Sequence, residues 1–151
     1  MKIKIISIGT LKETYLKDMV KEYTKRLSKY TKVEIIEIKE ENDTNPKVKE
    51  IEGNKILNYL KPRDYVIALT LNKKEYTSEE LAKWLNNKMM KSSELVFIIG
   101  GSLGLSNLVL NRANECLTLS KLTFTHQMSR VILLEQIYRA FKINNHEKYH
   151  K

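Results

Sequence analysis

With 151 residues, 27 basic and 18 acidic, the chain has the length of one domain and a net charge of +9 that favours polyanions as partners. Its single cysteine, Cys116, excludes an internal disulfide and suits a reducing compartment. No apolar run approaches the roughly 18 residues of a membrane span, and that of the opening MKIKIISIGT is too short for a signal peptide, so we expect a soluble cytoplasmic protein.

Apolar periodicity alternates along the chain between the spacing of a strand and that of a helix. Residues 2 to 8 (KIKIISI) alternate and stop at Gly9, and residues 12 to 30 place Leu16, Met19, Val20, Tyr23 and Leu27 on one helical stripe. A second strand covers 32 to 38 (KVEIIEI); the polar loop KEENDTNP and a helix from about 47 to 60 follow. Residues 64 to 71 (DYVIALTL) read as a buried strand. The capping box Thr77-Ser78-Glu79-Glu80 opens a helix with Leu81, Trp84, Leu85 and Met89 on one face. Residues 94 to 99 (ELVFII) form another buried strand, ended by Gly100-Gly101. A helix near 106 to 114, a short strand around 116 to 119 and a long helix from about 127 to 143 complete a single domain over 1 to 151.

This alternation predicts an α/β fold, a parallel sheet with helices on both faces. Ligands in such folds bind beyond the carboxyl ends of the strands, which selects Leu69 to Leu71, Gly100 to Gly104 and Leu119 to Phe124. The last helix carries Val131, Ile132, Leu133, Leu134, Ile137, Tyr138 and Phe141 around most of its circumference. One face can cover the sheet, and a second copy of the chain is the simplest cover for the rest. Residues 95 to 151 hold 7 basic and 3 acidic groups, the most cationic third by proportion, and an anionic ligand is expected there.

Several motifs compete for the chemistry. The glycine turn IIGGSLGLS lets backbone approach a ligand closely, or is a tight turn with no ligand. It lacks the glycine at position 99 of a dinucleotide fingerprint and the Gly-Lys-Ser/Thr of a phosphate loop. His146-Glu147-Lys148-Tyr149-His150 matches the zinc hydrolase signature His-Glu-x-x-His, but only Lys151 follows and no third ligand is offered, so no metal is expected. The same tail is either solvated or holds Tyr149, His150 and Lys151 where stacking, hydrogen bonding and phosphate contact meet RNA. His126 divides similarly between helix capping and substrate contact. A Ser-His-Asp triad is discounted, because Ser102 lacks the Gly-x-Ser-x-Gly elbow.

Taken together, MKIKIISIGTLKE, FIIGGSLGL, LTLSKLTFTHQMSRVILLEQIYRAFKI and the closing YHK resemble the ribosomal RNA large-subunit methyltransferase H family, of the SPOUT superfamily of knotted methyltransferases. The resemblance spans the whole chain. It implies a homodimeric enzyme with a C-terminal trefoil knot that transfers a methyl group from S-adenosylmethionine to N3 of a pseudouridine in 23S ribosomal RNA of the large subunit or the 70S ribosome. Matched by position, the family's cofactor pocket falls on Leu69, Gly100, Leu119, Ser120, Lys121, Leu122, Thr123 and Phe124. Arg130 and His150 are the expected catalytic residues, and His126 and Tyr149 the substrate-binding ones. The chain departs from the family pattern at Thr125, where proline is usual, and in LNKKEY after the third strand, where a glycine is expected. The competing expectation is a basic, ribosome-associated RNA-binding factor without chemistry.

Overall fold

Strand and helix alternate from end to end in the computed structural model, which describes residues 1 to 151. The elements are β1 (Lys2–Ile8), α1 (Thr14–Leu27), β2 (Lys32–Ile38), α2 (Val48–Leu57), β3 (Tyr65–Lys74), α3 (Ser78–Lys91), β4 (Glu94–Ile99), α4 (Asn107–Arg112), β5 (Glu115–Leu117) and α5 (His126–Asn144). All five strands pair in parallel, in the order β2-β1-β4-β3-β5.

Successive side chains of a strand point to opposite faces, and the sequence supplies an apolar set for each. Ile3, Ile5, Leu95, Phe97 and Ile99 pack under α1, α3 and α5. Ile6, Ile8, Val96 and Ile98 face the other way, against Ile56 of α2 and Val109 of α4. Both faces are therefore covered, as the near-continuous apolar runs of β1 and β4 require.

The apolar girth of α5 is accounted for within the chain. Val131, Leu133, Leu134, Ile137, Tyr138, Ala140 and Phe141 are buried because α5 lies between α1 and α3 as well as on the sheet. Tyr23 of α1 packs on Tyr138, and Asn144 donates to the Ala82 carbonyl of α3. Of the apolar residues read from the helix, Ile132 alone stays half-buried, so the fold covers most of this surface within one chain.

The end of β3 also differs from expectation. The strand bulges after Leu69 and continues to Lys74, with the register against Leu117 shifting between those residues. Asn72 turns the backbone at φ 58°, a left-handed conformation that asparagine tolerates after glycine. Thr118 staples the bulge: its hydroxyl donates to the Thr70 carbonyl and accepts from the Lys73 amide, each at 2.8 Å. Within LNKKEY, where a glycine was expected, Asn72 thus adopts a conformation open to glycine. No helix is long and apolar enough to cross a membrane.

Candidate active site

Because every strand runs the same way, all five carboxyl ends open on one rim. A cavity of about 790 Å³ lies there, within the roughly 300–1,000 Å³ of small-molecule sites. Three segments build its wall: Leu69 to Leu71 at the bulge of β3, the glycine turn after β4, and the segment from Leu119 to His126 that leads into α5.

Local chemistry shapes each segment. The glycine turn curls on itself, with the Gly104 amide donating to the Gly101 carbonyl at 3.1 Å and Gly104 at φ 79°. A Cβ on Gly100 would lie 2.9 Å from the Gly104 carbonyl carbon, so only glycine fits this turn without backbone movement. After β5, Ser120 accepts from the Leu122 amide at 3.0 Å and bends the segment. Thr125, at φ −61°, caps α5 by accepting from the Met128 amide at 3.2 Å. The hydroxyl thus anchors the helix start in a conformation that proline would also adopt.

Leu69, Gly100, Leu119, Ser120 and the run Leu122, Thr123 and Phe124 all contribute to the wall, whereas the Lys121 side chain does not. Lys49 of α2 is the only residue of the wall carrying a full charge. It went unnoticed in the sequence because its approach depends on how α2 crosses the rim, which no local pattern records. With apolar side chains and bare backbone around it, the cavity suits a small, largely apolar ligand. Ser102 lines the cavity and donates to Asp43 at 2.9 Å.

His126 also lines the cavity. Its ring lies against Gly9, where an added Cβ would come within 2.6 Å of Cε1, and its Nδ1 is buried without a hydrogen-bond partner. Burial holds its pKa below the ordinary histidine value, so the imidazole is neutral at pH 7.

Arg130 stands elsewhere. Its side chain is 1% exposed and outside the cavity wall. It donates to Glu37 Oε2 at 2.6 Å, Ser7 Oγ at 2.9 Å and the Gly9 carbonyl at 3.2 Å. Glu37 Oε2 in turn accepts from the Leu11 amide. Arg130 therefore ties the loop after β1 to α5, one helical turn from His126.

The tail folds back along the outer face of α5. Tyr149 meets Tyr138 edge to face at 4.9 Å and donates to Glu135. His150 lies 3.1 Å from an Arg139 nitrogen and 2.7 Å from Glu79 Oε1. Glu147 accepts from Lys142 and from Tyr30, which push its pKa down to about 2. Thirteen residues of α5 separate His126 from Arg139, about 20 Å at 1.5 Å per residue. Neither Tyr149 nor His150 lines the cavity of its own protomer.

Comparison with known proteins bears on the whole chain. Residues 1–150 match the family described as "Predicted SPOUT methyltransferase". Proteins named ribosomal RNA large subunit methyltransferase H are similar over the full length of both chains, with 54% identity in Clostridium botulinum (strain Alaska E43 / Type E3) and 48% in Streptococcus pneumoniae (strain CGSP14). A probable methylase family protein from Haemophilus influenzae Rd KW20 shares the fold, with a TM-score of 0.58 at 12% identity over 99% of this chain and 70% of that one. A five-stranded parallel sheet with a cavity at its carboxyl rim, matched end to end by these relatives, makes this chain a member of the ribosomal RNA large subunit methyltransferase H family of SPOUT methyltransferases.

Proposed function

We propose that this chain acts as a single SPOUT domain that uses S-adenosylmethionine to methylate N3 of a pseudouridine in 23S ribosomal RNA, in the cytoplasm and on the large subunit or 70S ribosome. The observation that carries the reading is the convergence of Leu69, Gly100 and Leu119 to Phe124 on one apolar, backbone-lined cavity. Names of relatives 48 to 54% identical supply the RNA substrate. The cofactor's sulfonium supplies the electrophile, and the chain's residues orient the ring and ease loss of the N3 proton. Glycines 100 and 104 admit the cofactor against bare backbone, Leu69, Leu119 and Leu122 enclose its adenine, and Ser120, Thr123 and Phe124 complete the pocket, with Lys121 at its edge.

The substrate side is completed by a second copy. Neither Tyr149 nor His150 lines the cavity of its own protomer, while Tyr15, Met19 and Met128 stay 65%, 42% and 41% exposed on α1 and at the start of α5. Two copies packed through these faces bring the partner's Tyr149 and the partner's His150 toward the cavity mouth. There they hold the uracil ring beside His126 and favour its deprotonated form. Arg130 acts as a positioning residue through Gly9 and the start of α5. The trefoil knot belongs to the same reading, with the segment from Leu119 into α5 as its threaded part.

Titration calorimetry with S-adenosylmethionine tests the reading: one stoichiometric site per protomer is expected, lost in Gly100→Val. Mass spectrometry of ribosomal RNA from cells lacking the protein should show one missing methyl on a pseudouridine. Absence of binding heat would leave only an RNA-binding factor.

A further inference from the structure

We propose that Lys12, Lys49, Lys73 and Lys121 form a phosphate-binding collar around the cavity mouth, seating the RNA backbone on either side of the nucleotide that enters. This rests on the RNA reading above and goes beyond it by assigning the surface. The four lysines come from four different segments at one rim, the loop after β1, the first turn of α2, the end of β3 and the segment after β5, and each is tied to the wall. Lys49 is part of it, and Lys121 lies between Ser120 and Leu122, which are. The Lys12 amide donates to Gln127, next to His126, at 3.1 Å. Lys73 is two residues beyond Leu71 of the wall, its amide held by Thr118. All four side chains are exposed, and none has an acidic partner within ion-pair distance.

The acids of the same rim are largely occupied. Glu37 is paired with Arg130, Glu41 with Lys55, and Asp43 accepts from Ser102. Glu52 is buried, which raises its pKa and favours the neutral form. Glu13, Glu40, Glu50 and Glu75 remain without a cation, against Lys39, Lys47 and Lys74 in addition to the four of the collar. At the opposite rim Lys2 is paired with Glu34, Lys4 with Glu94 and Lys88 with Glu115, while Lys32, Lys61 and Lys91 are exposed without an acidic partner. Unpaired lysines thus stand at both rims, and the four of the collar are those that adjoin the cavity. Lysine ammonium groups on flexible stems suit phosphates of an irregular RNA strand.

The test is the salt dependence of binding to purified 70S ribosomes, followed by co-sedimentation. Each phosphate contact removed flattens the plot of log affinity against log salt by about one. The double variant Lys12→Gln/Lys73→Gln should lose about two units of slope while keeping its calorimetric S-adenosylmethionine site. The pair Lys32→Gln/Lys91→Gln, exposed at the far rim, should keep the wild-type slope. Equal losses in both pairs, or a loss confined to Lys17→Gln/Lys21→Gln/Lys25→Gln on the outer face of α1, would overturn the collar and leave the RNA reading standing. A flat salt response of the unaltered chain would overturn both.

Discussion

A methyl group on Gly9 would sit 2.6 Å from Cε1 of His126, on a backbone whose φ is 94°. Position 9 thus carries two demands, a left-handed turn and room for a ring. Gly9→Ala should cost about 1–2 kcal/mol from the backbone alone, and denaturant melts that show no loss would refute the contact. The burial of His126 gives a second prediction. Its folded pKa lies below the unfolded value near 6.5, so stability from the neutral ring is full above pH 6.5 and declines as the pH falls toward the folded pKa. An NMR titration of the His126 ring should have its midpoint below 6.5; a midpoint at or above it would contradict the burial. His126 was legible as an ambiguous residue, but its choice between capping and cavity was not. Thr125 does the capping, which leaves the imidazole for the wall.

At the scale of elements, the start and the end of α5 are held by side chains that can be removed singly. Thr125→Ala deletes the cap on Met128 and should lower stability by about 1 kcal/mol in urea unfolding. The tail is held by Glu147, whose carboxylate is stabilised first by Lys142 and then by Tyr30. A depressed carboxylate contributes its stability above the unfolded pKa, near 4.5, and loses it as the pH falls through the folded value of about 2. The NMR resonances of the Tyr30 and Tyr149 rings should therefore stay unchanged from pH 7 down past 4.5 and move only as pH 2 is approached. A transition centred near 4.5 would show that the docked tail does not depend on this pair. The two departures from the family pattern also resolve at this scale. Asn72 takes a glycine's backbone conformation, and Thr125 substitutes a hydrogen bond for proline's rigidity.

For the whole molecule, the absence of Tyr149 and His150 from the wall of their own cavity makes a mixing experiment decisive. In a dimer of His150→Ala with Gly100→Val, one site would join an intact cavity to an intact tail, and the other would lack both. Random mixing should then restore roughly a quarter of wild-type methylation per protomer, from two variants nearly inactive alone. Mixtures as inactive as either parent would show that the tail serves its own protomer. Met128→Glu, at the exposed start of α5, should shift sedimentation toward monomer.

Sequence alone determined the alternation of strand and helix, the parallel sheet and the three segments that line the cavity, because periodicity and glycine placement are local and strand direction follows from them. It did not determine the strand order, the burial of α5 between α1 and α3, or the place of Arg130. Those depend on partners far apart in the chain: Arg130 bonds Glu37 and Ser7 across 93 and 123 residues. A cationic side chain in an apolar helix reads the same whether it meets a carboxylate of the fold or a substrate, and only the packed fold, by bringing Ser7 of β1 and Glu37 of β2 to Arg130 of α5, distinguishes them.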